Sequence, residues 1–208
     1  MRALEFGLRF PSISRLLPDG APAHLTQRER LMLYAFVFGL APRRCLEIGS
    51  FYGGSALITS GALDDVQRGG RLLCIDPDPS QIKIDWSVIA HNAELIGGFF
   101  PKDLPPLWLG EPIKGLFEFI FYDGPHTEAE GVQLILPYVV DLMATGGYLL
   151  IHDAYHVDTR KAVSALIRDH QLIDCGMVSR TCNNNHPGAF FGGMVLVRKS
   201  GELPPNSD

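Results

Sequence analysis

Basic charge is in short supply in this chain. Lysine and arginine together number 18 against 23 aspartates and glutamates, a formal net charge of −5. A duplex-binding protein needs a cationic face for the phosphates, so nucleic acid is not an expected partner. Long apolar runs are missing as well. The longest, Leu31–Ala41, falls well short of the roughly 20 residues that cross a bilayer, so no membrane association is expected and the run reads as a buried helix. Arg2, Arg9 and Arg15 are spread among apolar residues, without the compact hydrophobic region of a secretory signal. Cysteines are few: Cys45, Cys74, Cys175 and Cys182, with no CxxC pair. That removes the usual zinc and redox spacings, and Cys45 and Cys74 stand in apolar runs where a thiol behaves as a small hydrophobe. A reducing, cytoplasmic setting is expected. Internal repeats and low-complexity tracts are also absent.

What remains is an ordinary globular composition, 46% hydrophobic and 20% charged over 208 residues, the size of one domain with a full core. Residues 1–25, rich in Pro and Gly, read as an N-terminal arm, residues 26–200 as a single domain and residues 201–208 as a flexible tail. Thr26 and Glu29 form a capping box that opens a helix to about Phe38. Arg44–Ile48 then reads as a strand, Ser55–Leu63 as a helix, Arg71–Ile75 as a strand, Gln81–Asn92 as a helix and Ala93–Gly98 as a third strand. Phe117–Tyr122 is an apolar strand of the kind buried on both faces. Thr127 and Glu130 repeat the capping pattern ahead of a helix to Leu142, and Thr145-Gly146-Gly147 turns the chain into strand Tyr148–Ile151. A helix over Thr159–His170, capped by Asp158, precedes two closing strands, Leu172–Ser179 and Phe190–Arg198. The alternation predicts a doubly wound, mostly parallel seven-stranded α/β sheet, Rossmann-like, with an antiparallel strand from the C-terminal hairpin at one edge.

The polar signals fall at strand ends, where such sheets bind ligands. In CLEIGSFYGGSAL, residues 45–57, Gly49 and Gly53 permit left-handed backbone and close ligand approach, and the next helix aims free N–H groups at a carboxylate. Ser55 adds a hydroxyl. The order G-x-x-x-G-G differs from the G-x-G-x-x-G that cradles a dinucleotide pyrophosphate. Glu47 would repel phosphates but suits a cationic amino group. Asp76 closes the second strand, where an acid can accept ribose hydroxyls; as a residue before Pro77 it can also be a plain turn former. Asp123-Gly124-Pro125-His126 and His152-Asp153 end two further strands. Asp123, His152 and Asp153 could hold Mg²⁺ or another divalent cation, or form a solvated cluster without metal. His126 could take a proton from a hydroxyl at neutral pH, or only hydrogen-bond cofactor or loop. Tyr155, His156 and Asn183–His186 are candidates for an acceptor pocket.

The stretches LTQRERLMLYAF, LEIGSFYGGSA, LLCIDPDP and FEFIFYDGPHTEAEGVQLILPYVVDLMATGGYLLIHDAY resemble class I S-adenosylmethionine-dependent methyltransferases. The likeness is to the small-molecule O-methyltransferase branch, with the macrolide-sugar and rhamnosyl O-methyltransferases and the cephalosporin hydroxylase-like group, and more distantly to catechol O-methyltransferase. The resemblance implies that Glu47, Gly49, Ser50, Phe51, Gly53, Ser55 and Asp123 surround the cofactor while Asp76 holds its ribose. It implies Asp123, His152 and Asp153 at the metal positions and His126 as base, with Asp123 beside it in catalysis. His152 stands where metal-dependent relatives carry an acid, and Phe99-Phe100 where the family often has Asp-Ser near the adenine. The expected activity is O-methylation of a small-molecule hydroxyl (sugar, phenol or natural product) by a protein that could be a homodimer. A nucleotide-dependent oxidoreductase on a similar fold, and a cofactor-binding protein without catalysis, are the competing readings.

Overall fold

The structure, a computed structural model, describes residues 23–186 and 189–203. Most of the expected arm, residues 1–22, and of the tail, residues 204–208, lies outside the described residues, as do the side chains of residues 183–186 and 189. Seven strands form one sheet: β1 Arg44–Ile48, β2 Arg71–Asp76, β3 Ala93–Gly97, β4 Phe117–Tyr122, β5 Met143–His152, β6 Ile173–Ser179 and β7 Met194–Arg198. Their order is β3-β2-β1-β4-β5-β7-β6. The first five run parallel, and the C-terminal hairpin completes the edge with β7 antiparallel to both β5 and β6.

The strands are apolar on both faces because both faces are covered. Cys45, Leu72, Cys74, Phe119 and Phe121 pack under helices α1 (Gln27–Leu40) and α2 (Gly54–Val66) through Leu33, Val37, Ile58 and Ala62. Leu46, Leu73, Ile75, Ile120 and Leu149 pack under α3 (Val132–Leu142) and α4 (Val157–His170) through Leu136, Val139, Val163 and Leu166. Strand order reverses at β1, which has β2 on one side and β4 on the other. A crevice opens there at the carboxyl ends of the strands. Among the described residues no helix is long and apolar enough to cross a membrane.

Local expectations change in several places, among them the closing strand Phe190–Arg198, which begins only at Met194 because Gly192 and Gly193 take φ 83° and 76°. Residues 81–92 form no α-helix but two 3₁₀ turns, Pro79–Gln81 and Trp86–Val88. The Asp78 and Asp85 side chains accept from the Ser80 and Ser87 amides, and the Lys83 amide donates to Tyr52 O, so the helical ladder is outcompeted locally. The Thr127–Glu130 capping box forms, yet Gly131 takes φ 84° and the helix starts only at Val132. Gly146, at φ 77°, kinks a continuous β5 rather than preceding it, with the register against β4 shifting between Phe117 and Phe119. His156, not Asp158, caps α4; Asp158 instead accepts from the Glu128 amide at 3.0 Å.

Candidate active site

The ends of β1, β2 and β4 are stitched together by backbone. Gly49 N donates to Ile75 O at 3.0 Å and Asp123 N to Ile48 O at 2.9 Å. Gly49 has φ 85°, and a Cβ there would sit 2.3 Å from Asp123 O, so only glycine lets the two strand ends meet. The turn that follows is held by Asp76. Its Oδ2 accepts from Ser50 N at 2.9 Å and Phe51 N at 2.8 Å, and its Oδ1 accepts from Asp78 N at 2.8 Å. An ionised carboxylate offers about four lone-pair positions, so one on Oδ1 is left for a ligand. The same bonds fix Phe51 at φ 45°, with its ring stacked on Tyr52 at 3.8 Å between centroids.

Gly53 caps α2, and Gly54 and Ser55 reach the cleft. Glu47 does not line it. The side chain is fully buried behind the turn, where Ser55 Oγ donates to Oε1 at 3.1 Å, while Oε2 and the nearby Ser50 Oγ have no partner. Burial pushes Glu47 up to about 8, outweighing the hydroxyls beside it, with Asp123 and Asp76 adding to the rise. Sequence reasoning placed Glu47 against a cationic amino group; in the structure it stands behind the turn, outside the lining of the cleft.

On the other side of the crevice three predicted residues converge. His152, 6% exposed, places Nδ1 2.9 Å from Asp123 Oδ1 and 3.5 Å from Asp153 Oδ1. Ligand atoms of Asp123, His152 and Asp153 all lie within 4.8 Å of one another. Asp153 Oδ1 also accepts from Gly192 N at 2.6 Å. Beyond the ring, His152 Nε2 lies 3.6 Å from Glu29 Oε1. Burial opposes a charged imidazole, but Asp123, Glu29 and Asp153 outweigh it and hold His152 well above 6.5. Burial likewise opposes ionisation of Glu29, yet His152 and the Thr26 hydrogen bonds prevail and lower it to about 2.

Glu29 is the site residue that sequence reasoning missed. It was legible only as the far half of a capping box, a role it does fill, with Oε2 accepting from Thr26 N and Oγ1. Nothing local signals that Oε1 reaches Ser179 Oγ, Gly193 N and His152 across the sheet. His126 lies at the cleft with Nδ1 3.3 Å from Gly124 O and 3.9 Å from Asp153 Oδ2, leaving Nε2 for an acceptor. Its ring meets Phe191 edge-on at 5.1 Å. His156, expected at an acceptor pocket, is buried as the α4 cap but touches Phe191 at 5.2 Å. Tyr155 faces a separate cavity of about 300 Å³ with Arg160 and Met177.

The cleft encloses about 580 Å³ and includes His24, Leu25 and Thr26 at one rim and Phe191 and Gly192 at the other. Glu29, Asp76, Asp123, Glu130 and Asp153 line it, and no lysine or arginine does among the described residues. Fold and site define a Rossmann-like α/β protein whose ligand cleft opens where strand order reverses. The profile of the methyltransferase domain matches residues 46–154, and the chain belongs to that family. No curated protein matches it. Its fold is shared by the O-methyltransferase TomG from Streptomyces achromogenes, solved with SAM, at 17% identity and TM-score 0.62 over 92% of this chain and 90% of that one. It is shared too by the Bacillus cereus O-methyltransferase solved with SAH, at 15% identity and TM-score 0.61 over 92% and 91% of the chains. The SAH-bound methyltransferase PaMTH1 of Podospora anserina matches at 16% identity and TM-score 0.61 over 94% and 87%.

Proposed function

We propose that this methyltransferase-domain protein transfers a methyl group from S-adenosylmethionine to a hydroxyl of a small molecule. The observation that carries the reading is one acidic cleft in which the glycine turn, Asp76 and His126 face the same cavity of about 580 Å³. A sulfonium cofactor fits a cleft with five carboxylates and no lysine or arginine among the described lining residues. The cofactor-bound relatives in fold support the same choice. Gly49, Ser50, Gly54 and Ser55 would receive the amino-acid end, and the free position on Asp76 Oδ1 one ribose hydroxyl.

The reaction is an in-line displacement, so most of the work is alignment. His126 Nε2 takes the hydroxyl proton as the oxygen attacks the methyl carbon. The O–CH₃ bond forms while the S–CH₃ bond breaks, its electron pair returning to sulfur to give the neutral thioether. Carbonyl Gly124 O, on the Nδ1 side of the ring, favours the tautomer whose Nε2 is the base. Asp123, His152 and Asp153 would hold a divalent ion, which when bound would draw the acceptor oxygen in and lower its proton affinity.

Calorimetry with S-adenosylmethionine and S-adenosylhomocysteine tests the cofactor, with micromolar binding expected. Absence of binding to both would end the reading. Turnover of a panel of phenols and sugars then separates an enzyme from a non-catalytic binder.

A further inference from the structure

Glu29 makes more contacts than a helix cap needs. With Oε2 spent on Thr26, its Oε1 accepts from Ser179 Oγ at 3.2 Å and Gly193 N at 3.1 Å, so the carboxylate is fixed at the ends of β6 and β7. It stands 3.6 Å from His152 Nε2, a buried nitrogen that has no hydrogen-bond partner. The opposite nitrogen, Nδ1, faces Asp123 and Asp153. A histidine that binds a metal through one nitrogen keeps the proton on the other, and that N–H is commonly given to a carboxylate. Here the carboxylate comes from another element, α1, and is immobilised before any ion arrives.

We propose that Glu29 is a positioning residue that orients His152 with Nε2 towards its own carboxylate and Nδ1 towards Asp123 and Asp153, so that the Asp123–His152–Asp153 set prefers a first-row transition ion to Mg²⁺. The inference rests on the ion-binding part of the proposed function. The chemistry of the preference lies in the donors. Mg²⁺ favours oxygen ligands in near-ideal octahedra, whereas imidazole suits the softer Mn²⁺, Co²⁺ or Zn²⁺. One imidazole among two carboxylates therefore tilts the set away from Mg²⁺. An ion entering the cluster displaces the Nδ1 proton, as metal binding does at any histidine, and Nε2–H then finds Glu29 as its acceptor.

The test is metal titration of the full chain after treatment with a chelator, read by calorimetry with MnCl₂ and MgCl₂ and by the visible absorption of bound Co²⁺. Mn²⁺ and Co²⁺ are expected to bind at least tenfold more tightly than Mg²⁺. Glu29→Gln is expected to weaken Mn²⁺ by about 10–100-fold and to alter the Co²⁺ spectrum. His152→Asp, which leaves the cap intact, should reverse the preference towards Mg²⁺. Equal affinity for Mn²⁺ and Mg²⁺, or an unchanged preference in His152→Asp, overturns the selectivity. Unaltered Mn²⁺ affinity in folded Glu29→Gln overturns the positioning role. If no ion binds while S-adenosylhomocysteine still does, the ion site falls and the methyltransferase reading stands.

Discussion

The base role proposed for His126 is open to a replacement that separates chemistry from binding. His126→Ala should lower kcat by about 10²–10⁴-fold while calorimetry finds S-adenosylhomocysteine affinity within a few-fold of the parent. Full turnover in that variant would remove the base. Glu47 gives a prediction of another kind. Its folded-state pKa, pushed by burial to about 8, lies above the ordinary 4.5. The native state therefore holds the extra proton through that window, and this group's contribution to stability falls as pH rises from about 4.5 to 8. Glu47→Gln, neutral at every pH, should flatten the decline in Tm between pH 5 and 8 by several degrees. An identical slope in the variant would assign the decline elsewhere. Glu29 has the opposite sign: lowered to about 2, it stabilises above pH 4.5 and loses that contribution as acid brings the pH down towards 2.

At the scale of elements, two glycines with nearly the same φ differ in what surrounds them. Gly49 and Gly131 have φ 85° and 84°, but a Cβ on Gly49 meets Asp123 O at 2.3 Å whereas one on Gly131 meets nothing within 4 Å. Gly131→Ala should cost about 1 kcal/mol from backbone conformation alone. Gly49→Ala adds a clash with rigid backbone and should cost on the order of 3 kcal/mol or more, read from denaturant midpoints. The strands and the glycine turn were legible because apolar runs such as Phe117–Tyr122, interrupted only by the half-buried Glu118, sit between two helical layers. Residues 81–92 were not, since Asp78 and Asp85 hold short turns through contacts that no periodicity reveals. The cap at Thr127 was read correctly as a set of hydrogen bonds and wrongly as a helix start, because Gly131 breaks the path one residue after Glu130. Site residues at the ends of strands could be read as a group, because the parallel order brings those ends together. Asp76 and Glu47 could be placed but their partners could not: Asp76 is engaged by three backbone amides and Glu47 faces inward.

For the whole molecule, ligand binding and stability are linked through the cleft, which joins residues from Ala23 to Gly192. S-adenosylhomocysteine at 100 times its Kd should stabilise the fold by about 2.7 kcal/mol, raising Tm by roughly 5–10 °C. No shift under saturation would place binding elsewhere. The ring of acids around the cavity also gives the catalytic cycle a direction. On the proposed function a sulfonium would arrive as a cation and leave, once its methyl is gone, as a neutral thioether. In the proposed reaction the charge that attracts the donor is cancelled by the transfer itself, so the spent molecule should be held less firmly than the fresh one, and added salt should narrow the gap between them.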